Sequence, residues 1–250
     1  MSNHLVVQVA DVRVGVDLLA GDADRLRREL ASIVVDGSTT APPDVSVQVR
    51  GTETEDVLAA VTRAAVTVTS SLLVHAGAVM HEGQALLFPG ESGTGKSTMI
   101  AACVRAGMPY LTDEMVAFDL QENARITGWP RPLMLTPWSA TQFGLPVGPE
   151  TAKTVVPPAG LGAAVEAGSV GVGHVVVVRI GAERDAVETI SPGQVITAIL
   201  RSSFNHYRFG EAAWRTAVGV AERASGWRLD VATGRHPDRA VTQLRQVLDA

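Results

Sequence analysis

Apolar and polar residues alternate over residues 5–16 and again over 45–50, the period of a half-buried strand; the first stretch has a turn near Ala10-Asp11. Between them Leu26, Leu30 and Ile33 recur at helical spacing while Arg25, Arg27, Arg28 and Glu29 fall on other faces, predicting a helix over 22–35. Residues 36–44, rich in Gly, Ser, Thr and Pro, predict a loop. A second helix is predicted over 54–73, capped by Thr52 or Thr54 and with Glu55 and Asp56 in its first turn. Residues 74–80 and 84–88 read as two strands joined by a turn at His81-Glu82-Gly83. A helix over 97–105 ends at Gly107-Met108-Pro109, and a short run from Tyr110 leads to an alternating strand over 115–119. From 127 to 173 Pro and Gly are frequent and periodicity is weak, which reads either as a mobile segment that covers a site or as merely loose chain. A buried strand over 175–180, helices over 192–203 and 210–224, a strand over 228–231 and a helix over 237–248 complete an α/β chain. The expected division is a small α+β lobe over 1–52 and a main domain over 53–250, without internal repeats.

The hairpin of 74–88 runs into Gly90-Glu91-Ser92-Gly93-Thr94-Gly95-Lys96-Ser97-Thr98, which meets the pattern G-x-x-x-x-G-K-[ST] in full. The context is the one this loop needs: an apolar strand before it, a helix start after it. Glycines let backbone N–H groups turn towards phosphate oxygens, and the helix N-terminus adds its positive end. Lys96 is expected to reach the β- and γ-phosphates of ATP, and the Ser97 hydroxyl to sit on Mg²⁺. Lys96 and Lys153 are the only two lysines of the chain; elsewhere the basic residue is arginine. A lysine at this position therefore reads as required, because the loop closes around a compact ammonium rather than a planar fork.

Phosphoryl transfer also needs a metal ligand and a group that orients or deprotonates the attacking oxygen. Asp113-Glu114, at the end of an apolar run after the loop's helix, is the source expected for both. At a strand end or turn both carboxylates can approach one site, one serving Mg²⁺ and the other the acceptor hydroxyl. His75 lies on the strand beside the loop's strand; it is either a core or edge residue or an active-site group near the phosphates. Arg131, between Pro130 and Pro132, is either a transition-state or substrate arginine or a surface residue on a rigid loop. His206 and Arg208 belong to a polar, aromatic cluster that reads as a recognition element or simply a helix end. No histidine pair has metal-ligand spacing, so no zinc site is expected.

Composition narrows the partners. With aromatics at 4%, the core must rest on Val, Ala and Leu. The net charge of −5, with no basic patch interleaved with aromatics, excludes nucleic acid as the expected partner. No apolar run reaches a membrane span, and the N-terminus reads as a strand rather than a signal peptide. The lone Cys103 suits a cytoplasmic protein and reads as a packing thiol.

His75, the hairpin, the glycine-rich loop and Thr112-Asp113-Glu114, with Asp113 seventeen positions after Lys96, resemble the HPr kinase/phosphorylase catalytic domain, a relative of phosphoenolpyruvate carboxykinase. The resemblance covers about residues 72–120 well and extends weakly to the C-terminus. It is also similar to the smaller HPr-kinase-like proteins found beside peptide natural-product clusters, some of which phosphorylate a serine of a precursor peptide, lasso precursors included. The resemblance implies a P-loop domain with a mixed central sheet. It implies Gly90 to Thr98 around the triphosphate, Ser97 and Asp113 near Mg²⁺, Glu114 as the acid that orients or deprotonates the acceptor, and His75 near the phosphates. It differs from the larger family in carrying Asp113-Glu114 where two aspartates are usual. Residues 125–137 hold no acid, so the downstream Glu-Ile-Arg-Gly-like signature is missing. A peptide or small protein with a Ser or Thr hydroxyl is therefore expected as substrate, ahead of HPr. A small-molecule kinase and a non-catalytic ATP-binding regulatory module are the alternatives, and a homo-oligomer is conceivable by analogy with the family.

Overall fold

The computed structural model describes residues 3–19, 23–35, 42–51, 53–122, 124–147, 152–166, 168–232, 234 and 236–249. Asp22, Thr52 and residues 36–41 of the expected loop lie outside them. The chain divides into two compact units, Met1–Ser71 and Leu72–Ala250.

In the N-terminal unit, β1 (His4–Val9) and β2 (Val12–Leu18) pair antiparallel across the expected turn, where Ala10 takes φ 50°. β3 (Val45–Val49) adds parallel to β2. Helix α1 covers only Ala23–Glu29, shorter than the expected 22–35. The β-branched run Ile33-Val34-Val35 leaves the helix for an extended path: the Gln8 N–H donates to Ile33 O at 2.9 Å and the Val35 N–H to Val6 O at 2.8 Å. Helix α2 is Thr54–Val68, and its N-cap is Glu53 rather than either threonine, with the Glu53 N–H donating to the Asp56 carboxylate at 3.4 Å. It stops five residues before the expected end, because the apolar residues from Leu72 onward pair in a sheet instead. α2 packs on β1, β2 and β3, which moves the unit boundary from residue 52 to Ser71.

The C-terminal unit opens with the hairpin β4 (Leu72–His81) and β5 (Gln84–Pro89); Glu82 and Gly83, both at positive φ, make its two-residue turn. Helix α3 is Lys96–Arg105, followed by the short strands β6 (Tyr110–Thr112), β7 (Met115–Phe118), β8 (Arg125–Gly128) and β9 (Leu133–Leu135). Then come α4 (Pro137–Gln142), β10 (Thr154–Val156), which pairs with β9, and a 3-10 turn at Pro158–Leu161. The long β11 (Ser169–Ala182), β12 (Ala186–Thr189), α5 (Pro192–Arg201), α6 (His206–Phe209), α7 (Glu211–Arg223), β13 (Ser225–Ala232) and α8 (Pro237–Leu248) finish the chain.

Eight of these strands form one mixed sheet in the order β12-β13-β11-β5-β4-β7-β8, with β6 on β4. β11 is parallel to β5 and β13, while its first residues pair antiparallel with β8, so that β11, β5, β4, β7 and β8 close a ring of hydrogen-bonded strands. The strand period sorts the core. Leu86 and Phe88 face one side with α3 and α8, whereas Ala85 and Leu87 face the other with α5 and α7. The apolar run Val175-Val176-Val177-Val178 fits β11, a central strand with parallel neighbours covered on both faces. Gly77 on β4 lets α3 come close: a Cβ there would lie 2.5 Å from Ile100 Cγ1. Cys103 is buried on α3, and burial pushes its thiol up to about 12, so it packs and does not react.

Candidate active site

Two turns, at the ends of strands that flank β4, build the site. The first joins β5 to α3. Gly93 at φ 86° and Gly95 at φ 88° occupy left-handed backbone, and Gly95 is the N-cap of α3. A Cβ on Gly95 would also lie 2.2 Å from Ile180 Cδ1, the end of an exposed side chain that can swing away, so it is the left-handed backbone that calls for glycine here. The second turn joins β6 to β7 and carries Asp113 and Glu114. The Thr112 hydroxyl shapes it by accepting the N–H groups of Glu114 and Met115, each at 3.2 Å. β4 brings the pieces together: its Ala78 and Val79 pair with β5 on one side and β6 on the other, and its His75 N–H donates to Ser202 O at 2.7 Å.

A cavity of about 550 Å³ lies where these turns meet. His75, Ser92, Gly93, Gly95, Lys96, Ser97, Thr98, Asp113 and Glu114 all line it. Gly90, Glu91 and Thr94 do not; they border a neighbouring hollow of about 460 Å³ on the α5 side of the loop. The Glu91 carbonyl nevertheless holds the site's lysine, accepting from Lys96 Nζ at 2.6 Å. Burial lowers Lys96 to about 8, against the pull of Glu114, Asp113 and Glu91, so the amine is protonated at neutral pH.

Arg131 is the organising cation. It is 7% exposed, not a surface residue, and its guanidinium spans both acids: Nε donates to Asp113 Oδ1 at 3.1 Å and an Nη to Glu114 Oε2 at 2.7 Å. The two flanking prolines hold it there, and Tyr110 donates its hydroxyl to Arg131 O at 2.8 Å. Asp113 is fully buried; burial raises its carboxyl, opposed by Arg131, by the Met134 N–H at 3.3 Å and by the nearby Ser97 hydroxyl. The Ser97 hydroxyl and Asp113 carboxylate therefore lie side by side, an oxygen-donor pair of the kind Mg²⁺ takes. His75 stacks on Phe204 and has Nε2 3.6 Å from Glu114 Oε1. Burial, then Lys96 and Arg131, lower His75 to about 4, so it is neutral at pH 7 and this contact is not an ion pair.

No protein-family model matches the chain. No curated protein matches it either. Among solved structures it is similar to the HPr(Ser) kinase/phosphatase from Coxiella burnetii, at a TM-score of 0.38 and 15% identity, over 71% of this chain and 99% of that one.

The weakly periodic segment after residue 127 supplies the cavity's far wall through Arg131, Met134, Thr136, Trp138, Ser139 and Lys153. A hydroxyl chain runs along it: Thr98 Oγ1 to Ser139 Oγ at 2.7 Å, and Ser139 Oγ to Thr136 Oγ1 at 2.9 Å. Trp138 is 53% exposed at the rim. Both lysines of the chain thus face one cavity. Their scarcity was a signal that applied to Lys153 as much as to Lys96. His206 and Arg208 do not line the cavity; they lie on α6, where Arg208 sits 5.4 Å over the Phe209 ring.

Proposed function

We propose that this chain is a Mg-ATP-dependent kinase that transfers the γ-phosphate to a Ser or Thr hydroxyl of a peptide or small protein. The observation that supports it most is the convergence of a glycine-rich loop with its buried lysine, a Ser–Asp oxygen pair and a second carboxylate on one cavity, from two separate stretches of chain, 92–98 and 113–114. A phosphate-binding loop alone serves many ends; the second carboxylate, beside the first and facing the same space, is what a transfer to a hydroxyl requires.

In this reading the loop's backbone N–H groups and the start of α3 bind the triphosphate. Lys96 exchanges the Glu91 carbonyl for a phosphate oxygen, a short movement for a flexible side chain already at the loop. Ser97 and Asp113 hold Mg²⁺, which when bound neutralises phosphate charge. Glu114 accepts the proton of the acceptor hydroxyl. Its carboxylate has one oxygen on Arg131 and the other facing neutral His75, which fixes its orientation. Arg131 holds both acids at once and so sets their spacing.

The test is transfer from γ-labelled ATP with Mg²⁺ to Ser- and Thr-containing peptides, HPr and small alcohols, beside Lys96→Ala. Label on a peptide that is lost in Lys96→Ala supports the proposal. Label on small alcohols alone would replace the peptide acceptor. Tight ATP binding with hydrolysis and transfer both absent across the panel would overturn it in favour of a binding module.

A further inference from the structure

A second cluster stands apart from the cavity, at the far end of the hairpin. His81 ends β4, Glu82 begins the two-residue turn, and Asp249 follows the last residue of α8. One donor atom from each of the three lies within 4.8 Å of the others. The His81 side chain is 8% exposed, and its Nε2 is buried without a hydrogen bond although Asp249 Oδ1 is only 3.2 Å away. A buried imidazole nitrogen without a hydrogen bond costs free energy, and an exposed carboxylate 3.2 Å away does not supply one here. The carboxylates add to the imbalance: Asp249 caps the negative end of α8, with its N–H on Arg245 O at 2.9 Å, and Glu82 is drawn to the same place.

We propose that His81, Glu82 and Asp249 bind a divalent transition-metal ion of the borderline class that includes zinc. Ligand atoms about 2.1 Å from a common ion stand about 3 to 3.5 Å apart in tetrahedral or octahedral shells. The 3.2 Å between His81 Nε2 and Asp249 Oδ1 falls in that range. Glu82 is exposed, so its side chain can close the remaining distance. One imidazole nitrogen and two carboxylates favour zinc, cobalt or manganese over calcium, which takes oxygen only. His174, whose ring lies 6.1 Å from that of His81, is a neighbour and not a ligand: its Nδ1 accepts the Trp227 indole N–H at 3.3 Å, which leaves the proton on its Nε2. The ion would tie the hairpin turn to the last turn of α8, whose first residue, Pro237, lines the active-site cavity. The ligands come from widely separated positions, 81–82 and 249, which is why no sequence spacing announces them.

The experiment uses the full chain without an affinity tag, stripped with EDTA and titrated at pH 7.5 with Co²⁺, followed by visible absorption, and with Zn²⁺, followed by calorimetry and melting. The expected result is one saturable ion per chain with a rise in Tm. Asp249→Asn and the exposed Glu82→Gln should each weaken binding at least tenfold, and His81→Ala should abolish it. His81 is buried, so the two surface variants keep the test decisive if His81→Ala fails to fold; their metal-free melting should match wild type. Absence of saturable binding overturns the proposal. So does binding that survives Asp249→Asn with Glu82→Gln, or that disappears in His75→Ala, which would place the ion in the active-site cavity.

Discussion

Replacing Arg131 by Met keeps its bulk beside Trp129 and removes the charge that faces Asp113 and Glu114. Glu114 is partly exposed and water can solvate it; Asp113 is not, with no side-chain surface open to solvent. The cost therefore concentrates on Asp113. Removing one partner of a buried pair typically costs about 3–5 kcal/mol. A ceiling follows from the proton: Asp113 can take one up, which at pH 7, against the ordinary carboxyl value of 3.8, costs about 4 kcal/mol at 1.36 kcal/mol per pH step. At pH 5 the same ceiling falls to about 2 kcal/mol. In Arg131→Met the folded state holds a proton on Asp113 that the unfolded state releases, so the deficit relative to wild type must shrink as pH falls. For a unit of this size the loss at pH 7 corresponds to a drop in Tm of roughly 6–16 °C. Urea unfolding followed by tryptophan fluorescence at pH 7 and pH 5 measures both quantities. Asp113→Asn in the Arg131→Met background should recover most of the loss. A loss under about 1 kcal/mol at pH 7, or a loss that stays constant down to pH 5, would refute the view that Arg131 neutralises a buried acid.

Other outcomes follow from the same geometry. On the proposed reading, Glu114→Gln binds ATP as wild type does and loses roughly 10²–10⁴-fold in transfer, checked by calorimetry and labelled-phosphate transfer. His75, at about 4 in the fold against 6.5 unfolded, is neutral in the native state at pH values where the unfolded chain binds a proton. Its contribution is fully present above pH 6.5 and is lost as pH falls, so wild type should lose about 2 kcal/mol more than His75→Gln between pH 7.5 and 5.0 in urea unfolding. Lys96, lowered from 10.5 to about 8, carries its charge at pH 7 against its burial. Lys96→Met should therefore be more stable than wild type at pH 7, by up to ~3 kcal/mol before its lost hydrogen bond is counted, with the gap narrowing by pH 9 as the unfolded chain still binds the proton; paired melts at the two pH values read this directly.

Much of the C-terminal unit was legible because its signals are local. The hairpin, the glycine loop and the α8 span each depend on neighbours in sequence: a two-residue turn, positive-φ glycines, a Pro at the first helical position after His236. Misses occurred where a distant partner decides. Residues 33–35 continue a helical pattern but are taken by β1, and 69–73 continue α2 until Leu72 finds Phe118 on β7. β8, β9 and β10 are three or four residues long, too short for a period to show, and exist because β7, β11 and one another supply their ladders. Arg131 fell between two readings because its neighbours in sequence say nothing of the acids seventeen and eighteen positions earlier; only the fold of β7 and β8 brings them within 3.1 Å.

The charges of the site give that arrangement a purpose within the proposed reading. Lys96 and Arg131 are matched by Asp113 and Glu114, and His75 is kept neutral by its surroundings. Such a set has little net charge to offer a triphosphate by itself, since Arg131 is already paired with both acids and Lys96 is held by the Glu91 carbonyl. Within that reading Asp113 would hold Mg²⁺, a partner of higher charge than Arg131, and Lys96 would leave a neutral carbonyl for a phosphate oxygen. Arg131 then retains Glu114 alone, which holds that carboxylate in place as the acceptor hydroxyl arrives. A guanidinium shared between two acids is thus a device for keeping both ionised and separated in a buried cavity until the nucleotide comes, and a lysine in its place, with no planar fork, could not span them.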